Sequence, residues 1–149
     1  MAQTYIGSTL RTGSGTLTDS TDGGYVVVSQ TTTATTVAAG TAVSASVTLP
    51  ASSQILNFFV DQVVDEVVGG GTATAVNATI GTAAAGTQYL SSTNVISGGR
   101  AALTFTAAQL LAMADIGTNT SVYLTVAPNG TISTTQGVYR FTVVYAQKV

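Results

Sequence analysis

The chain has 149 residues, four basic and six acidic side chains, a net charge of −2, no His and no Cys. That length suits one domain. Charged residues make up 7 % against about 25 % in an ordinary soluble domain, which excludes the high-charge composition of disordered chains and a basic footprint for nucleic acid.

Lack of cysteine removes any disulfide framework. No apolar stretch of about 18 residues is present, so no membrane-spanning helix is expected. The opening Met1–Ile6 has neither a basic start nor an apolar run, so no signal peptide is expected and the chain is read as made in the cytoplasm. Few charges leave little repulsion between free copies, which suits a surface that a partner will cover.

In chain order, residues 1–23 are rich in Gly, Ser, Thr and Asp with isolated apolar positions at Ile6 and Leu10. They read as an extended N-terminal arm, with Ile6 and Leu10 as anchors on a partner, and residues 24–149 as a single domain. Asp22-Gly23-Gly24 marks a turn, and Tyr25–Ser29 a β-branched strand. Thr31–Gly40 shows no clear period. Val43, Ala45, Val47 and Leu49 alternate with small polar residues, a half-buried strand that Pro50 ends.

Gln54–Val68 is a long apolar run. It is read as a strand, because Phe and Val favour one, with Leu56, Phe58, Val60, Val64 and Val68 on one face and Asn57, Asp61 and Asp65 on the other. Gly69-Gly70-Gly71 breaks it. Strands over Ala73–Ile80 and Tyr89–Ile96 follow. Thr106-Ala107-Ala108-Gln109 fits a capping box and predicts a short helix near 107–114. Val122, Leu124 and Val126, then Tyr139, Phe141, Val143 and Tyr145, alternate as the inward faces of two final strands, joined through a turn at Pro128-Asn129-Gly130. Seven or eight strands at about ten-residue spacing predict an all-β, antiparallel sandwich of jelly-roll-like form.

Chemistry is hard to place on this chain. Without His or Cys, and with one Lys at position 148, the Ser-His-Asp, Cys-His and Ser-Lys nucleophile arrangements are excluded, as are the usual ligands for zinc, copper and haem. No catalytic, cofactor or metal residues are assigned. Asp61, Asp65 and Glu66 read as a solvated strand face. Four residues along a strand put Asp61 and Asp65 about 13 Å apart, too far for a glycosidase pair. Asp19-Ser20-Thr21-Asp22-Gly23 has half of a calcium loop without the closing Glu. Asn77, Asn119 and Asn129 open glycosylation sequons, as chance allows in a Thr-rich chain.

Several segments together carry a resemblance. Val43–Pro50 is an alternating strand ending in Leu-Pro, the run Ile55–Val68 and a Gly break come next, then Ala75–Thr82 with Ile-Gly-Thr, then Gln88-Tyr89-Leu90. The chain ends on a strand built on Gly137–Val143. Over roughly residues 40–147 this order resembles the small head-decoration, or cement, proteins of tailed bacteriophages, whose folds are jelly-roll or related sandwiches. The resemblance implies a virion structural protein on the capsid surface, in many copies, with the major capsid protein and copies of itself as partners. It carries no catalytic or ligand residues. The composition itself favours a homo-oligomer with no nucleic-acid or membrane partner. An alternative is a carbohydrate- or receptor-binding module of a phage fibre or tail, although no Trp is available to stack on sugar.

Overall fold

The computed structural model describes residues 3–6, 9–12, 15–16, 25–66, 71–96, 98–132 and 135–148, with side chains described within 25–147. Short strands β1 (Gln3–Ile6), β2 (Thr9–Thr12) and β3 (Gly15–Thr16) pair antiparallel in the order β1-β2-β3. The segment read as an extended arm thus carries a small sheet of its own.

Eight further strands form the body of the protein: β4 (Tyr25–Thr35), β5 (Val43–Leu49), β6 (Ser53–Val64), β7 (Val76–Gly81), β8 (Leu90–Asn94), β9 (Gly99–Arg100), β10 (Thr120–Pro128) and β11 (Val138–Lys148). They make two antiparallel four-stranded sheets, β4-β11-β6-β9 and β5-β10-β7-β8. First pairs with last, second with second-to-last, and so inward: β4 with β11, β5 with β10, β6 with β9, β7 with β8. A long hairpin rolled up so that its successive pairs alternate between two sheets is a jelly roll. The expected all-β sandwich is therefore present, and its strand order is that of a jelly roll.

Period-two alternation explains the inward faces. Val47 and Leu49 on β5, Val122, Leu124 and Val126 on β10, and Tyr139, Phe141, Val143 and Tyr145 on β11 are all buried, as their spacing predicts. Phe58 stacks on Phe141 with ring centroids 5.9 Å apart and lies 5.6 Å from Tyr89, so one aromatic cluster joins the sheets. Helix α1 (Ala107–Met113) starts at the predicted capping box: Thr106 Oγ1 accepts from Gln109 N, and Gln109 Oε1 accepts from Thr106 N.

Two readings of the sequence need correction. The strand at Tyr25 runs on to Thr35, through the Thr/Ala stretch that showed no period. On β6 the expected common face breaks, because the register with β11 skips Leu56 and Val63. An extra residue in a ladder reverses the phase of those before it. Ile55, Phe58 and Val60 point inward, whereas Leu56 and Val64 are exposed; Val68 lies outside the described residues.

At the end of the sandwich where β6 finishes, the loops bind one another. Thr36 and Gly137 exchange hydrogen bonds through backbone and hydroxyl, Thr72 and Thr131 do the same, and Asn129 Oδ1 accepts from Thr74 N and Ala75 N. At the opposite end lie α1, followed by Ile116 that bridges to Ser53 of β6, and Tyr25, where the N-terminal segment enters the sandwich beside its register partner Lys148.

Candidate functional site

The charges of the body gather in one place. Between residues 25 and 149 there are seven charged side chains, and five of them (Asp61, Asp65, Glu66, Arg100 and Arg140) belong to the end of β6 and its flanks on β9 and β11. Cross-strand register sets this up: Asp61 on the outer face of β6 is paired with Arg100 of β9 on one side and Arg140 of β11 on the other. Arg100 donates through Nε at 2.7 Å and Nη2 at 3.2 Å, and Arg140 through Nη2 at 3.1 Å. The Arg100 guanidinium also lies 4.4 Å above the Phe59 ring.

These partners overturn the expected solvated face at Asp61, whereas Asp65 is exposed as expected. Asp61 is 8 % exposed, and the Arg100 guanidinium, helped by Arg140, holds its carboxyl below the usual range although burial opposes this. Such a carboxylate makes a poor general base. Its structural effect is clear, since it ties the two-residue edge strand β9 to the middle of the sheet.

Directly inside lies a buried polar chain. Gly98 N donates to Gln62 Oε1 at 2.7 Å, Gln62 Nε2 to Tyr139 Oη at 3.2 Å, and Tyr139 Oη to the Glu66 carboxyl at 2.8 Å. Glu66 is 9 % exposed and packs over Gly137, where any Cβ would collide with its Oε2. Burial pushes its carboxyl up, the Tyr139 hydrogen bond pulls it down, and Asp65 pushes it up again; the net direction is upward. The Tyr139 hydroxyl is pushed well above its ordinary value, chiefly by burial and then by Glu66. Each member has a partner within the protein, and the chain fixes the loop at Gly98 and the segment after β6 to β11.

Among the described residues no three of His, Cys, Asp and Glu come together to hold a metal. The half calcium loop at Asp19–Gly23 lies outside the described residues. So do the side chains of the proposed anchors; the backbone register sets Leu10 against Tyr5 and Ile6 against Thr9, neighbouring positions on the β1–β2 pair. Two sequon amides are already engaged: Asn129 Nδ2 donates to Thr74 Oγ1, and Asn119 Oδ1 accepts from Ala51 N.

What remains is surface. The sheet β5-β10-β7-β8 contains no charged residue on either face. Its outer face presents Ser44, Ser46, Thr48, Ser121 and Tyr123, with hydroxyl pairs such as Ser44–Thr125 at 2.7 Å and Thr48–Ser121 at 3.3 Å. Helix α1 is turned about: it buries Gln109 and Met113, while Leu110 and Leu111 are 52 % and 77 % exposed, and its remaining residues are exposed alanines. Gln109 is inside because it completes the cap and donates to Ser91 Oγ. A helix with an apolar outer side is the reverse of an ordinary surface helix. The sequence flagged neither the Asp61 and Glu66 partners nor this reversal. The signal for Asp61 was in principle available, as an isolated Arg after Gly98-Gly99.

Compared with family models, with curated proteins and with solved structures, the chain has no match.

Proposed function

We propose that this protein is a capsid decoration or cement protein of a tailed bacteriophage, binding the outside of the head and stabilising it by bridging neighbouring subunits. The observation that carries this reading is the charge-free sheet β5-β10-β7-β8. Soluble domains spread charge over about a quarter to a third of their surface, and this sheet has none. An interface made of hydroxyls and aliphatic groups buries without desolvating ions. The exposed Leu110 and Leu111 add an apolar contact at the end of the sandwich where both the N-terminal segment and β11 terminate.

Enzyme chemistry has little to work with. Asp61 is neutralised by two guanidinium groups, and Glu66 is enclosed by Tyr139 and Gly137. The alternative of a glycan- or receptor-binding fibre module calls for exposed aromatic platforms, and among the described residues only Tyr25 of the larger exposed apolar groups is aromatic.

Heads prepared without this protein provide the test. Purified chain added to them should cosediment at a fixed ratio to the major capsid protein and delay heat-induced release of the genome. No cosedimentation, or cosedimentation without any gain in head stability, contradicts the proposal.

A further inference from the structure

The four edges of the two four-stranded sheets differ sharply in how they are protected. β9 has two residues and is stapled by Asp61–Arg100. β8 has five residues and an irregular register with β7. β5 is followed by Pro50, and the Gln30 side chain donates through Nε2 to the carbonyl of its Thr48 at 3.0 Å. β4 has none of these devices. It runs eleven residues, Tyr25–Thr35, with an unbroken register to β11, no charge, no Pro and no Gly. Among the described residues its backbone has no partner on the side away from β11.

Natural proteins guard edges by shortness, charge, proline or bulges, because an unguarded edge is a template for another strand. In an antiparallel ladder every second residue turns its N–H and C=O outward, so β4 offers roughly ten backbone groups to a partner. We infer that β4 pairs antiparallel with β4 of a second copy of this chain, joining the two β4-β11-β6-β9 sheets into one of eight strands.

A second copy fits for three reasons. Antiparallel pairing of identical strands is self-complementary and closes as a twofold dimer, and the guarded state of β5, β8 and β9 stops the two sandwich sheets from growing further. Full overlap of eleven residues centres the pairing on Gln30, so on the outer face Ser29 meets Thr31 of the other copy and Val27 meets Thr33. Those are the hydroxyl and hydroxyl–aliphatic rungs this protein already uses, as in Thr31–Thr142 at 3.0 Å. No like charges are opposed, because there are none. The pairing specifies how copies of the chain meet, and its test involves no phage particle, so the capsid assignment and the dimer stand or fall separately.

The experiment is light scattering on the full chain and on two double variants, Ser29→Lys with Thr31→Lys, and Ser29→Glu with Thr31→Glu. The native chain should have twice its chain mass of 14.9 kDa. Each variant should be monomeric, with native circular dichroism, because positions 29 and 31 are exposed and like charges would then lie directly opposite across the pairing. Mixing the two variants in equal amounts should restore the dimer. A monomeric native chain, an oligomer other than a dimer, a Lys variant that stays dimeric, or a mixture that stays monomeric overturns the inference. Should the variants misfold, hydrogen exchange on the native chain decides: β4 amides should exchange more slowly as protein concentration rises, and exchange independent of concentration refutes the pairing.

Discussion

Truncating Phe141 to Ala removes the centre of the sandwich. The side chain is fully buried, its ring lies on Phe58, and its register partners are Val60 on one side and Thr32 on the other. A Phe→Ala change at such a site costs about 3–5 kcal/mol, and the lost ring pair puts this example in the upper part of that range. For a chain near 150 residues each kcal/mol shifts the midpoint by about 2–4 °C, so Phe141→Ala should lower the melting temperature by about 10–15 °C. Thr142, one position on, faces outward and bonds the Thr31 hydroxyl; Thr142→Ala should stay within about 0.5 kcal/mol. Thermal unfolding followed by circular dichroism measures both. If the two variants lose similar stability, or Thr142→Ala loses more, the assignment of inner and outer faces on β11 is wrong.

Glu66→Gln tests the buried polar chain through pH. A carboxyl whose folded value is raised binds its proton more readily in the folded state. Its stabilising effect is therefore full below the unfolded value of 4.5 and is lost as pH rises through the folded value. The variant should melt higher than the native protein at pH 7, with the two converging toward pH 4, and a lower midpoint at pH 7 would contradict the burial argument. Asp61 has the opposite sign: its carboxyl is lowered, so the stability it contributes is present above 3.8 and is lost as pH falls through the folded value. Asp61→Asn should accordingly flatten the acid limb of the melting curve, and an unchanged limb would show that the two Arg contacts do not persist in solution. Thr106→Ala removes the helix cap and should cost about 1 kcal/mol, with Thr106→Ser restoring most of it; equal loss in both would place the effect outside the cap. A chelator should leave the melting temperature unchanged, and a fall of several degrees would point to a calcium site with Asp19 and Asp22 as first candidates.

The parts of the fold that could be read from sequence are those where one face is apolar and the other is not. Val43–Leu49 and Val138–Tyr145 have strong contrast between alternate positions, so their inward faces follow directly. Thr31–Thr35 is just as regular in burial but hides it, because Thr and Ala differ too little in hydropathy to mark the alternation. β6 misleads for another reason: bulges at Leu56 and Val63 are set by its pairing with β11, and pairing register is not a local property. The polar cluster is not legible in the sequence because its partners are distant along the chain. Asp61 and Arg100 are 39 residues apart, Glu66 and Tyr139 are 73 apart, and only the strand order brings them together. For α1, the capping box gave the helix but its second member, Gln109, took an inward position that the spacing of Leu110, Leu111 and Met113 would have given to leucine.

The proposed place of this chain on the outside of a phage head can be seen or ruled out in an electron cryo-microscopy reconstruction of the purified particle whose genome encodes it. The expected result is density for an eight-stranded jelly roll on the outer capsid surface, touching more than one major capsid subunit, with the uncharged β5-β10-β7-β8 face or α1 in the contact. A head surface without that density, together with mass spectrometry that does not find the chain in the particle, would contradict it.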